Sequence, residues 1–377
     1  MKKSLIIAIL LLIVLTSAPL LACTAFFAYQ GDKVLVGNNE DYINPITKTW
    51  FEPAEDGKYG RVYFGFDNFW PQGGMNDQGL FFDGFATRQK KIKISVYKPK
   101  YQGNLIDKVM AECATVEDVI NIFDRYNLQF MEKFMLMFAD KTGTSAIIEG
   151  DVVIRKKGRY QVITNFYQSE VKDRNYPCER YKIAIEMLKK NSCISVKLFR
   201  QILAAVHAEG EYVNTLYSNI YDLKKGLVYL YHFHDFANEV VIDLNEELKK
   251  GKHIYDLPSL FPRSYHAESF LSVYKERNEM HVVDVDSKIF DKYIGIYEMP
   301  SDMAPNTAIA ITKRGDKLYG FYPELPKHEL LPQSENHFVT ISDNGEIKIT
   351  FKEGKAGEVT EIFVESDRFK FSAQKIK

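Results

Sequence analysis

Cys23 stands where a cleavable leader ends and a core strand begins, with no tether between them. Met1 to Lys3 carry positive charge, Leu5 to Leu15 are unbroken apolar residues, and Thr16 to Ala22 form a short tail ending on a small residue. That is the pattern of a signal peptide, 1–22, and it predicts export to a periplasmic, cell-surface or extracellular location. Cleavage after Ala22 leaves a chain that opens Cys-Thr-Ala-Phe-Phe-Ala. Such a chain has to bury its own first residues, and it presents a thiol and a free α-amine on one residue.

A thiol is mostly protonated at neutral pH, and an α-amine of pKa about 7.7–8 takes its proton directly or through one water. A base and a nucleophile then share Cys23. No histidine is needed for the thiolate to attack a carbonyl and form an acyl-enzyme. Two other readings use the same residues. Leu20-Leu21-Ala22-Cys23 is close to a lipid-attachment pattern, which would consume the thiol and make the chain a surface-anchored binding lipoprotein without catalysis. A lipidated cysteine is ordinarily followed by a polar tether, whereas Ala25 to Ala28 run straight into an apolar strand. The other reading is a chance cysteine at a leader junction.

Removing 22 of 377 residues leaves 355, room for one large domain and a smaller one. With 49 Lys and Arg against 50 Asp and Glu, there is no electrostatic case for nucleic acid or an acidic membrane surface. No second apolar run reaches spanning length. Cys113, Cys178 and Cys193 allow at most one internal disulfide, with a Cys178–Cys193 pairing left open, so this is no disulfide scaffold.

The pattern predicts a hairpin first: Thr24 to Tyr29, a Gly31-Asp32 turn, then Lys33 to Val36 ending at Gly37. Arg61 to Phe66 and Gly79 to Ala86 read as strands, with turns at Pro71 to Gly74 and Asn76 to Gln78. Thr115 to Tyr126, Arg180 to Lys189 and Val196 to Val206 have helical spacing. Met131 to Ala139, Ser145 to Glu149, Val152 to Arg155 and Tyr160 to Ile163 read as a meander, and Leu227 to Phe233 and Glu239 to Leu244 return to strand. Antiparallel sheets packed against helices follow, an α+β class. After a helical linker at 266–285, short alternating strands from Tyr293 to Val364 predict a small all-β barrel over 286–377.

Four segments carry a resemblance. Gly37-Asn38-Asn39-Glu40-Asp41-Tyr42, Gly74-Met75-Asn76-Asp77-Gln78-Gly79-Leu80, Val162-Ile163-Thr164-Asn165 and Tyr176-Pro177-Cys178-Glu179-Arg180-Tyr181 follow Cys23 in that order. Together they resemble the cysteine branch of the N-terminal-nucleophile (Ntn) amidohydrolases, the group of penicillin V acylase and choloylglycine (bile salt) hydrolase, with acid ceramidase more distant. The resemblance covers about residues 23 to 262. It implies a four-layer αββα sandwich over 23–265 and hydrolysis of a linear acyl-amide C–N bond in a small-molecule substrate, with neither cofactor nor metal. It puts an amine-orienting role on Asp41, an oxyanion donor on Asn165, and on Arg180 a guanidinium that holds Asp41 and lowers the thiol pKa. A second oxyanion donor falls near Ala86, or on a backbone N–H at Asp83 or Gly84. The relatives carry an arginine where this chain has Asn38, which weakens the case for their own substrates. A dipeptidase-type cysteine peptidase shares the same nucleophile and stays open.

From Tyr293-Ile294-Gly295-Ile296-Tyr297 onward the chain resembles lipocalin-like barrels appended to secreted serine hydrolases, where substrate gating for an apolar acyl chain competes with a structural role. His232 and His234 read as alternating positions of a surface strand without a third metal ligand. Pairing of Cys113 or Cys193 with His207 lacks any local signature. The oligomeric state is not legible.

Overall fold

The computed structural model describes residues 23–377 except for 94–96, 211, 278–282, 304–306, 322–326, 343–344, 355–356 and 367–368. The expected leader, 1–22, lies outside the described residues.

Ala25 to Ala28 are apolar at every position because both faces of the strand are covered there. In the strand Thr24–Gln30, Ala25 and Phe27 point into a core between two sheets, whereas Phe26 and Ala28 point into a second core beneath helices. A turn at Gly31, where φ is 57°, returns the chain as Lys33–Tyr42. This return strand runs well past the expected stop at Gly37. Gly37 is a packing residue: a Cβ there would lie 2.7 Å from Phe26 Cζ. Residues 38–42 therefore form strand, and successive side chains point to opposite faces.

Two antiparallel sheets face each other across the first core. One has six strands in the order Tyr160–Ile163, Thr24–Gln30, Lys33–Tyr42, Asn214–Asp222, Leu227–His232, Asp235–Asp243. The other has eight, in the order His253–Asp256, Thr47–Glu52, Arg61–Phe66, Pro71–Asn76, Leu80–Ala86, Phe134–Asp140, Ser145–Glu149, Val152–Arg155. The helices Glu179–Lys190 and Val196–Ala205 cover the outer face of the first sheet through Tyr181, Ala184, Leu188, Leu198, Phe199 and Ile202. Leu105–Glu112 and Val116–Phe123 cover the second, the latter opened by a reciprocal Thr115–Asp118 capping box. The result is a four-layer αββα sandwich.

Two local expectations are corrected. Pro71 to Gly74 is the strand Pro71–Asn76, and its glycines mark close backbone approach: a Cβ on Gly74 would meet the Val62 carbonyl oxygen at 2.3 Å. The turn follows instead, where Asn76 Oδ1 accepts from the N–H groups of Gln78 and Leu80. Met131 falls in a 3₁₀ turn, Gln129–Lys133, and the strand begins at Phe134.

Eight antiparallel strands close a barrel at the C-terminal end, from Gly295–Glu298 through Lys370–Lys375. Two of them, His328–Pro332 and Lys370–Lys375, are too polar or proline-marked to have been expected. The lumen is filled by side chains, with Tyr293 stacked on Phe351 at 4.1 Å, as an eight-stranded barrel of this width allows. The barrel meets the sandwich at the loop Asp67 to Trp70. Phe69 packs on Tyr319 at 5.6 Å and lies 4.3 Å beneath the Arg314 guanidinium, and Lys327 N–H donates to the Asn68 carbonyl. A cleft of about 830 Å³ lies between the two bodies, lined by Thr47, Asp67, Leu271, Lys275, Glu329 and Leu330 among others.

Candidate active site

Strand register builds the site. The pairing Thr24↔Asn39 places Cys23 opposite Glu40 one step further on, and Ala25↔Ile163 places it opposite Asn165 two steps further on. On the far side of Glu40 lies Tyr217, and beyond it His232. One row across the sheet therefore reads Asn165, Cys23, Glu40, Tyr217, His232. Val34 and Val36 of the same strand face the second sheet, so Asn38 and Glu40 do too, while Asp41 faces the helices.

Between the sheets, Cys23 Sγ lies 3.6 Å from Glu40 Oε1 and 3.8 Å from the Asp41 carbonyl oxygen. Asp83 reaches the same space from the second sheet, and Gly73 leaves room for it: a Cβ there would sit 2.9 Å from Asp83 Oδ1. Burial, then Glu40, Asp41 and Asp83, push the Cys23 thiol well above its ordinary range. Burial and the neighbouring Asp41 raise Glu40 to about 8, against the contact with Cys23. Burial and Glu40 raise Asp83, opposed by the Gly84 N–H and the Asn38 side chain.

Toward the helices the arrangement is cationic. Arg180 opens the helix Glu179–Lys190 and donates to Thr24 Oγ1 at 2.8 Å, to Asp41 Oδ2 at 3.2 Å and to Asn165 Oδ1 at 3.5 Å. The Thr215 hydroxyl donates to the other Asp41 oxygen and accepts from the Ala208 N–H at 2.8 Å. Burial lifts Asp41 to about 7, and Thr215 and Arg180 hold it from going higher.

The structure thus brings Cys23, Asp41, Asn165 and Arg180 to one strand end. Arg180 holds Asp41 but is not among the groups that shift the thiol, which is pushed up rather than down. Asn165 donates through Nδ2 to the Ala86 carbonyl at 2.9 Å, so Ala86 offers an acceptor here and no side-chain donor. The expected backbone donor at Gly84 is engaged by the carboxylate of Asp83 at 3.1 Å. Asp83 enters the site through its side chain instead.

Glu40 and Thr24 were not anticipated as neighbours of the site, whereas Thr215 and Tyr217 belong to a stretch, Thr215-Leu216-Tyr217-Ser218, that the sequence offers equally as pocket lining and as plain core strand. The signal for Glu40 was present: a turn pairing Gln30 with Lys33 also pairs Cys23 with Glu40, provided the strand continues past Gly37. His232 is buried rather than on a surface strand, stacked on Phe261 and held to about 4 by burial and then by His234. Phe233 and His234 form a left-handed turn, with φ of 48° and 50°. Cys113 lies under the helices of the second sheet and Cys193 is exposed, so neither adjoins His207, whose ring faces His234. All four cysteines are free thiols. Among the described residues no group of three or more His, Cys, Asp or Glu side chains is arranged to hold a metal ion, and no helix is long and apolar enough to cross a membrane.

The raised Glu40 has a consequence for stability. The native state keeps a proton that the unfolded chain, at the ordinary 4.5, has released, so this group's stabilising contribution is complete below about pH 4.5 and is lost as pH rises toward 8. His232 acts oppositely between about 4 and its ordinary 6.5, because there the unfolded chain binds the extra proton. The Glu40→Gln variant isolates the first effect. Relative to wild type, its unfolding free energy should improve from pH 4.5 to 8 by as much as about 1.4 kcal/mol per pH unit. Urea midpoints at pH 4.5, 6 and 8 measure this, and a constant difference across the series would contradict the assigned protonation.

No family model matches this sequence, and no curated protein matches it. Among solved structures, the chain is similar to penicillin V acylase from Agrobacterium tumefaciens, at 18% identity over 62% of this chain and 90% of that one, with a TM-score of 0.48. It is also similar to the conjugated bile acid hydrolase from Clostridium perfringens, at 18% identity over 64% and 97% with a TM-score of 0.48. The Caenorhabditis elegans ortholog of N-acylethanolamine-hydrolyzing acid amidase gives 15% identity over 62% and 100%, with a TM-score of 0.41.

Proposed function

We propose that the protein is an exported hydrolase of linear acyl-amide C–N bonds, working through Cys23 as an N-terminal nucleophile in a mature chain that begins there. The observation that carries the reading is the row Asn165, Cys23, Glu40, backed by the Arg180–Asp41–Thr215 network on the opposite face of the sheet. A thiol flanked by a side-chain amide and fixed at the open end of a strand has the two parts that acyl transfer needs, a nucleophile and an oxyanion donor.

In this mechanism the freed α-amine takes the thiol proton, and the thiolate adds to the carbonyl carbon. Asn165 donates to the oxygen that gains charge, exchanging its bond to the Ala86 carbonyl for one to the oxyanion. The tetrahedral adduct collapses by breaking the C–N bond, and the α-ammonium returns its proton to the departing nitrogen. Water, deprotonated by the same amine, then releases the carboxylic acid and restores the thiol. Asp41, held by Arg180 and Thr215, orients the amine. Residues 23–265 form the catalytic unit, 266–285 a linker, and 286–377 a lipocalin-like barrel. Because that barrel's lumen is filled, any influence on acyl-chain length runs through the Asp67 to Trp70 loop rather than through a cavity inside it.

The test is intact-mass analysis of protein purified from an exporting host and mixed with a small activated acyl ester. The expected species is a chain starting at Cys23 that gains one acyl mass, mapped to Cys23 by peptide sequencing. A diacylglycerol thioether at Cys23 would favour the lipoprotein reading and overturn this one.

A further inference from the structure

Two buried carboxyl groups beside the thiol are more than the capture of a neutral acyl group calls for. Glu40 is 3% exposed and Asp83 is fully buried, and both carboxyl groups face Cys23 between the sheets. The groups closing the space around them are Asn38, Tyr217 and Tyr221, and no Lys or Arg is among those that act on either carboxyl. Four buried atoms in this space have no hydrogen-bond partner among the described residues: Glu40 Oε2, Asp83 Oδ2, Asn38 Oδ1 and the Tyr217 hydroxyl. Asn38 Oδ1 only accepts, the two carboxyl groups do so once an incoming cation draws off the protons that burial makes them keep, and Tyr217 can accept as well. Leaving such acceptors dry and unpaired is expensive, and the ordinary remedy is a cation with several N–H donors.

The freed α-amine of Cys23 does not supply that cation at the moment of attack, because it has to be neutral to take the thiol proton. The position Asn38, where the resembling family carries an arginine, contributes an acceptor instead. Glu40 lies within 3.6 Å of the sulfur, so a group that meets it sits next to the carbonyl under attack.

We infer that Glu40 and Asp83, with Asn38 and Tyr217, bind a substrate ammonium carried on the acyl side next to the scissile carbonyl. The substrate class is an amide of an amino-bearing acid, such as an aminoacyl amide or a short peptide with a free amino terminus. This rests on the hydrolase reading and narrows its substrate. The ammonium donates to Glu40 Oε2, Asn38 Oδ1 and Asp83, and the acyl carbon is thereby held against the sulfur.

The experiment compares pairs that differ by the ammonium alone: phenylalanine 4-nitroanilide with 3-phenylpropanoyl 4-nitroanilide, and alanine 4-nitroanilide with propanoyl 4-nitroanilide. In the mature protein the amino compound should exceed its partner in kcat/KM by 100-fold or more. In Glu40→Gln and in Asp83→Asn the ratio should fall below 10. A wild-type ratio at or below 1 overturns the inference while leaving the hydrolase reading intact, and it is readable even if a variant fails to fold. A preference that survives unchanged in both folded variants also overturns it. No turnover and no acyl-Cys23 with any of the four compounds would remove the hydrolase reading and this inference together.

Discussion

Replacing Cys23 by Ala should abolish amide hydrolysis, lowering kcat by roughly four to six orders of magnitude, the range seen when a nucleophile is deleted. The side chain removed is small and already 4% exposed among apolar neighbours, so the fold should survive. Its loss takes from Glu40 Oε1 a long thiol contact only, and Glu40 keeps its own proton, so no large destabilisation is expected. Cys23→Ser is the sharper control. It keeps a nucleophilic atom and the hydrogen bond to Glu40, but a hydroxyl is far harder to ionise beside three carboxyl groups. Residual activity in the serine variant with none in the alanine variant would fit covalent catalysis. Turnover in Cys23→Ala within tenfold of wild type, in a preparation with a cooperative thermal transition, would show that the chemistry lies elsewhere.

How much of this was legible without coordinates depends on what each signal reports. Segments buried on both faces, such as Thr24–Gln30, announce themselves as continuous apolar runs, and the helices that cover them show a clean stripe, as in Leu198, Phe199, Ile202 and Leu203. Glycine misled twice for one reason. Gly37 reads as a strand end and the Gly73-Gly74 pair as part of a turn, yet each sits inside a strand where a neighbouring ring, carboxylate or carbonyl leaves no space for a Cβ. Tertiary crowding of that kind is invisible in a window of sequence. The strand Thr47–Glu52 was missed because its lysine and threonines dilute the alternation.

The site was half legible, and parity explains which half. Asp41, Asn165 and Arg180 came from resemblance, and they do converge near Cys23. Glu40 was passed over as the neighbour of Asp41, although adjacent residues on a strand cannot serve the same face. With the strand cut at Gly37, nothing forced the question of where residue 40 points. Asp83 was noticed for its backbone and matters for its carboxylate. Both errors hid the acidic lining of the thiol, which comes from one face of each sheet.

Arg180→Met carries the second large effect, because it strips a buried carboxylate of the cation that faces it. Asp41 is fully buried, while the Arg180 side chain is 21% exposed, so the low end of the usual range for breaking a buried pair applies, about 3 kcal/mol. The sign with pH follows from the raised Asp41. Without Arg180, which holds it down, Asp41 titrates above the wild-type value of about 7, so the loss sets in near pH 7 and grows above it by at most about 1.4 kcal/mol per pH unit; near pH 5 the carboxyl is protonated in both proteins and asks for no cation, so most of the loss disappears. Catalysis should suffer in both conditions, since Arg180 also positions Thr24 and Asn165 beside the nucleophile. A fall in kcat of about 10²–10³ with KM changed by less than about fivefold is expected for a misplaced oxyanion donor. Adding Asp41→Asn to Arg180→Met should recover stability at pH 8 without recovering kcat, because the neutral amide removes the orphaned charge but not the misplacement. Should the double variant be no more stable at pH 8 than Arg180→Met alone, the ion pair would not be what Arg180 contributes to the fold.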